Sequence, residues 1–470
     1  VVTFQGFGKT WVSNNIFDTL YTFRDFKSLI PALATSYAVS PDGLVYTFQL
    51  RRGVKFHDGT PFNAEAVEFN YMRYLDKDHP FHEPNAAFRT SILPSVKSVK
   101  AKEEYVVEIV REKPSASFVA NLTSWQAGLM SPTAIRKHGV QDAGRFPVGT
   151  GPFVFEKAEK GSQAVLRAFD DYWGGRPPLD RIVIRAIPED QAMTAALLSG
   201  EVDLTPFVDF KNLESLRRNA KLAVQVVPAP SSAYTVLNAG QKPFTDIRVR
   251  RAVAHALNNK KAIEVVYYGE GDPAGGLTAL PLWAYAPHLR DYYKYDPAKA
   301  KSLLAEAGGP SDLVIHCQSS GSWPRWAEIM QADLTAVGFK ASIEKIDSAK
   351  FYGQMTEAKH QLFIAEAEYN NPDPEDIYNV MHGCDNPRHK RYGWCDKTFD
   401  DLRAKQSAER DQEKRKQTLW EMQKMILDQA VQIPNFYFRV ATVTSRRVQG
   451  YTSTGSKLLM PFEKTWLAKA

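Results

Sequence analysis

The sequence predicts a mixed α/β protein of two lobes, with the last segment of the chain rejoining the first lobe. Three observations carry this. The first third alternates apolar and polar residues with the two-residue period of strands. The second half places apolar residues at three- and four-residue steps, interrupted by short apolar runs, and the tail from Val440 to Gly450 returns to the strand pattern. At 470 residues there is chain enough for two large domains, and 44% hydrophobic against 24% charged residues excludes bulk disorder.

In chain order, Leu44–Leu50 (LVYTFQL) sets Leu44, Tyr46, Phe48 and Leu50 on one face and Val45, Thr47 and Gln49 on the other. Ser40-Pro41-Asp42-Gly43 ahead of it has the composition of a tight turn, so a hairpin or strand edge is expected. A helix follows over Asn63–Arg73, with Asn63 as N-cap and Glu65 in the first turn. Val106–Val110, Phe153–Glu156 and Arg181–Ala186 read as strands, with Gly149-Thr150-Gly151-Pro152 forcing a break before Phe153. Glu189–Leu198 reads as an amphipathic helix. Further helices are expected at Ile247–Leu257, Ala298–Ala307, Arg325–Val337 and Asp396–Ala430, with buried strands at Leu313–His316 and Gln361–Glu366 between them.

The net charge of +6 is slight for this length, and the basic residues are scattered without interleaved aromatics, so no nucleic-acid partner is expected. Pro114–Ile135, the longest stretch free of charged side chains, carries Asn121, Thr123, Ser124, Gln126 and Pro132 and does not read as a bilayer span. Three cysteines, Cys317, Cys384 and Cys395, make no disulfide framework and no zinc pair. Spacing alone leaves Cys384 and Cys395 open, either two free thiols or one bridge closing a polar, basic loop. The opening VVTFQGF suits a cytoplasmic start or a trimmed secreted protein equally. No GxSxG elbow, HExxH or paired CxxC pattern occurs, and His79 and His82 read as loop residues, so no catalytic residue, cofactor or metal site is expected. That points to a binding protein and away from an enzyme.

Pro31–Gly59 (PALATSYAVSPDGLVYTFQLRRGVKFHDG) resembles the signature of the peptide/nickel class of extracellular solute-binding proteins, family 5, the dipeptide and oligopeptide receptors of bacterial ABC importers. Further blocks agree in order: Pro61–Val67, Val148–Phe155, Asp170–Ile182, Ala196–Leu204, Phe244–Ile263, Tyr295–Gly308 and Asn371–Asp376 (NPDPED). The resemblance covers nearly the whole chain. It implies a two-lobed periplasmic binding protein fold (type II, cluster C-like) with an extra subdomain in the first lobe and a ligand cleft between the lobes. Lobe I would take 1–245 plus 444–470, with the inserted subdomain at roughly 40–165, and lobe II would take 246–443. It also implies a monomer that works in the periplasm or cell exterior after its signal peptide is removed, lipid-anchored or not in full length, and that delivers its solute to a membrane permease. Members bridge two cysteines just downstream of the Asp-Pro block, so the resemblance implies a Cys384–Cys395 disulfide, with Cys317 free and buried. The quoted blocks, with Phe48, Phe56, Tyr172 and Trp173, are then scaffold.

The ligand contacts implied by the resemblance are altered here. Peptide receptors of this class hold the ligand's α-ammonium with an Asp just before the NPDPED-like block, and Asn370 stands at that position. Dipeptide receptors place an Arg after the strand corresponding to Leu313–Cys317; here the chain reads QSSGSWPRW, with Arg325 nearby. If Ile364–Asn370 is extended, Glu366, Glu368 and Asn370 share one face and Ala365, Ala367 and Tyr369 the other. Glu366, Glu368, Tyr369 and Asn370 are therefore expected at the ligand, with Arg325, Asn14, and Trp323 and Trp125 as stacking surfaces. The expected solute is either a short peptide or a non-peptide such as an oligosaccharide, an opine or a sugar-phosphate conjugate. The alternatives are a nickel or haem chelate on His57 or His382, and a periplasmic enzyme or chaperone on the same fold.

Overall fold

The computed structural model describes residues 2–4, 8–85, 88–89 and 92–469, and the chain forms two compact units. Unit 1 takes residues 1–227, 370–372 and 440–470, and unit 2 takes 228–369 and 373–439. In chain order, unit 1 holds β1 (Val2–Phe4), β2 (Tyr21–Thr22), β3 (Ile30–Pro31), β4 (Ala34–Val39), β5 (Val45–Leu50), β6 (Val96–Glu103) and β7 (Val106–Arg111). It continues with β8 (Phe153–Glu159), β9 (Gln163–Ala168), β10 (Arg181–Ala186) and β11 (Leu204–Thr205). β12 (Leu222–Leu237) carries the chain into unit 2, which holds β13 (Gly271–Pro273), β14 (Asp312–Gln318), β15 (Lys340–Ile346) and β16 (Leu362–Glu368). β17 (Gln432–Ser445) carries it back, ahead of β18 (Val448–Gln449) and β19 (Trp466–Leu467).

Unit 1 contains a main sheet in the order β17-β11-β1-β10-β9-β8, in which β1 runs parallel to both neighbours. Its core is built on Trp11, Ile16, Phe153, Leu166, Ile182, Ile184 and Phe462. A separate antiparallel sheet, β4-β5-β7-β6, carries the helix Ala64–Leu75. On β5 the alternation is met: Tyr46, Phe48 and Leu50 are buried, and Gly43, at φ 76°, turns the chain into the strand. The Asn63 side chain accepts the Ala66 N–H at 3.0 Å, satisfying one orphan donor of the first helical turn. The core of this subdomain runs from Leu20 to Leu129, earlier than the expected 40–165. The reason is β8, which pairs with β9 in the main sheet.

Close approach explains the Gly149–Gly151 block. A Cβ at Gly149 would lie 2.1 Å from the Ile16 carbonyl oxygen, and one at Gly151 would lie 2.7 Å from it. Glycine lets the two backbones touch. His57 holds the same turn. Its Nδ1 accepts the Gly149 N–H at 3.4 Å and its Nε2–H donates to the Gly151 carbonyl at 2.9 Å.

In unit 2 the order is β15-β14-β16-β12-β17, with β13 also on β17. β14 is parallel to β15 and β16, and β12 is antiparallel to β16. Residues 228–245, expected with the first lobe, belong here because the second half of β12 pairs with β16, from Ser231↔Glu368 to Leu237↔Leu362. Conversely, 440–443 belong to unit 1, where Val443 pairs with Thr205. The single helix expected over Asp396–Ala430 is two, Lys397–Ala408 and Gln412–Gln429. Asp411 restarts it, accepting the N–H groups of Glu413 and Lys414 at 3.0 Å. Among the described residues no helix is long and apolar enough to cross a membrane.

Asp373 and Glu375 of the NPDPED block are structural. Arg415 donates to both oxygens of Asp373 and, at 2.9 Å, to Glu375 Oε2, while its Nε–H donates to Gln406 Oε1 at 2.9 Å. All three charged side chains are buried. Burial alone would pull the guanidinium pKa down, and the two carboxylates reverse that and hold it above its ordinary value. Cys384 and Cys395 form a disulfide, with Cα atoms 5.4 Å apart, and Cys317 is free and buried.

Candidate functional site

The candidate site lies in unit 2, on the β16 face opposite the core. Ala365, Ala367 and Tyr369 point into the core, so strand pleating sends Glu366 and Glu368 the other way, where both are half-buried. Antiparallel register sets Ser231 opposite Glu368 and Ala233 opposite Glu366, on the same face. Ser231 is 1% exposed, and its Oγ has no hydrogen-bond partner.

An aromatic wall connects this face to the helix Trp323–Ala336, which follows β14. The Tyr267 pKa is raised, first by burial and further by the charge of Glu366, and its hydroxyl is bonded to Ser322 Oγ at 2.9 Å. The Tyr267 ring lies 5.0 Å from Phe436, Phe436 lies 4.9 Å from Trp326, and Trp326 lies 5.7 Å from Trp323. Arg325, in the first turn of that helix, is exposed and sits over the Tyr268 ring at 5.8 Å. Because β14 and β16 are parallel neighbours, their carboxyl ends lie on one edge of the sheet, the edge at which open α/β sheets bind ligands. The arrangement offers carboxylates to a cation, a guanidinium to an anion, and rings for stacking.

Glu366, Glu368, Trp323 and Arg325 thus all lie in unit 2, around this wall. Tyr369 does not join them. It is a core residue, 2% exposed, with its hydroxyl donating to the Leu277 carbonyl at 3.2 Å, because it shares the pleat face of Ala365 and Ala367. Asn370 is exposed, just past the end of β16, where the chain passes to unit 1. In unit 1, the Asn14 amide donates to the Leu458 carbonyl, and Trp125 is half-buried at the start of the turn Trp125–Ala127.

His57 and His382, weighed as chelate ligands, are occupied. His382 is fully buried, donates to Gln432 Oε1 at 2.7 Å, and has its pKa pushed down to about 4 by burial. Burial likewise takes His57 down to about 4. Among the described residues no group of three or more His, Cys, Asp or Glu side chains is placed to hold a metal ion. Ser231, Tyr267 and Ser322 escaped the sequence reading. Only the β12–β16 register and the packing of the Trp323–Ala336 helix bring them to Glu366 and Glu368.

Comparison with known proteins agrees with this architecture. The chain is 30% identical over 447 residues to the dipeptide-binding protein of Escherichia coli, covering 90% of this chain and 83% of that protein. It is 31% identical over 466 residues to heme-binding protein A of Haemophilus influenzae, covering 94% and 85%. The solved structure of the periplasmic binding protein DppA from Helicobacter pylori, in complex with the peptide STSA, superposes with a TM-score of 0.83 at 29% identity, covering 97% of this chain and 93% of that one. The family described as "Bacterial extracellular solute-binding proteins, family 5 Middle" matches residues 28–388, most of the chain. By sequence and by fold alike, this chain belongs to the family 5 bacterial extracellular solute-binding proteins.

Proposed function

We propose that this chain is the extracytoplasmic receptor of an ABC importer, that it captures a short peptide or peptide-like solute without transforming it, and that it delivers the solute to a membrane permease. The observation that carries the reading is the presence, in one unit and around one aromatic wall, of carboxylates at the end of β16 and a guanidinium in the helix after the neighbouring β14. A peptide is a zwitterion and needs both. Two relatives, a dipeptide-binding protein and a peptide-bound DppA, support the same class. The disulfide-closed loop fits an oxidising compartment.

Asn370 favours a second reading, a non-peptide solute such as an opine or oligosaccharide, because an amide supplies no charge to an amine. Native mass spectrometry of the purified protein, repeated after denaturation, separates the two. Released peptide masses, with dipeptide binding by calorimetry, support the first reading. A sugar or opine mass with no peptide binding refutes it.

A further inference from the structure

We propose that Glu366 and Glu368 of β16, together with the Ser231 hydroxyl of β12, form a subsite for a primary ammonium group on the solute. This deepens the receptor reading and rests on it. The two carboxylates are two residues apart on one pleat face, about 6.7 Å along the strand, so a small cation fits between their ends. Ser231 pairs directly with Glu368. Cross-strand partners have Cβ atoms about 5 Å apart, so the hydroxyl and the carboxylate share one small space.

The independent observation is the Ser231 hydroxyl itself. It is 1% exposed and its oxygen has no hydrogen-bond partner, whereas on the same strand Ser232 donates to the Leu277 carbonyl at 3.1 Å and Thr235 to Asn435 Oδ1 at 2.8 Å. A buried hydroxyl left without a partner is unfavourable, and an N–H donor from a ligand would relieve it. An ammonium carries three N–H donors and no acceptor, and two carboxylates plus one hydroxyl supply five acceptor oxygens, enough for all three donors. The set is too small for calcium, which takes six to eight oxygens. The Tyr267–Phe436–Trp326 wall sets apolar surface beside Glu366, and a lower local dielectric strengthens the attraction between carboxylate and ammonium. The negative charge missing at Asn370 is thereby supplied from within the preceding strand.

The test uses the full chain, stripped of bound solute by unfolding and refolding, against paired probes. These are a dipeptide library and its N-acetylated counterpart, and cadaverine and glucosamine with their acetylated forms, all read by native mass spectrometry and calorimetry. Free amines are expected to bind and acetylation to weaken them roughly 10- to 100-fold. Glu366→Gln and Glu368→Gln should each lose a similar factor, and Ser231→Ala a few-fold, at wild-type melting temperatures. Equal binding of free and acetylated probes, absence of any amine-dependent binding, or wild-type affinity in both glutamine variants would overturn the subsite. If only the non-peptide amines bind, the subsite stands and the peptide reading fails. If peptides bind whether acetylated or not, the reading stands and the subsite fails.

Discussion

Replacing Arg415 with methionine removes a buried cation that faces both Asp373 and Glu375. The three side chains are 5%, 8% and 4% exposed, so water cannot take the place of the guanidinium. Asp373 would lose two charge-assisted bonds and Glu375 one, while Gln406 would lose its bond from the Nε–H. Asp373 keeps the Glu375 N–H at 3.0 Å and Glu375 keeps the Ser407 hydroxyl, but neutral donors do not replace the guanidinium's charge beside two buried carboxylates. Breaking a buried pair by removing one partner costs about 3–5 kcal/mol, and a triad that strands two charges belongs at the upper end. Urea unfolding at pH 7, followed by tryptophan fluorescence, should show that loss; Trp283, 5.4 Å from the guanidinium, reports on the region. The deficit should shrink at pH 5, because one stranded carboxylate then takes a proton. Adding Asp373→Asn and Glu375→Gln to Arg415→Met should recover much of the loss. A deficit under about 1 kcal/mol, or one that ignores pH, would refute the closed, desolvated triad.

Mild acid should destabilise the fold. Burial holds His57, His360 and His382 near pKa 4 against an ordinary 6.5, so the stability present above pH 6.5 is lost as pH falls toward 4, up to on the order of 3 kcal/mol per group. Asp18, raised by burial from 3.8 to about 6, opposes this, since its contribution is largest at low pH and is lost as pH rises through 6. Three groups outweigh one, so the urea midpoint should drop between pH 7 and pH 5, and a flat profile would count against neutral buried histidines. Reducing Cys384–Cys395, or replacing both with serine, should cost about 3 kcal/mol for a loop this short, read as a lower melting temperature. Trp323→Ala should weaken the natural solute by about 1–3 kcal/mol in calorimetry if its ring stacks on the ligand, and an unchanged dissociation constant would mark it as surface. Asn370→Asp should raise dipeptide affinity by roughly tenfold, whereas unchanged binding would mean that position does not meet the amine.

Much of the fold was legible because it rests on local periodicity. The LVYTFQL alternation and the Asn63 cap each announce themselves within a few residues. The break at Asp411 does not, since Glu409-Arg410-Asp411 is polar in a polar helix face and interrupts no apolar stripe. On β16 the two-residue period separates Glu366 and Glu368 from Ala365 and Ala367, and the same parity sends Tyr369 to the core. Ser231 was out of reach. Its place beside Glu368 is decided by strand register between distant segments, and nothing in the local sequence SSAY distinguishes it from Ser232, which faces the core.

The interrupted path of the chain has a consequence for its synthesis. Unit 1 begins first but closes only when β17 adds Val443 and Thr444 to β11, after every residue of unit 2 has been made. The first unit therefore waits with that strand edge unpaired through the synthesis of the second, a departure from the usual N-terminal-first order of domain folding. That edge is an invitation to mispair with another nascent chain. The species a chaperone must guard is the half-built first unit, kept open for a strand that the chain supplies only after the second unit.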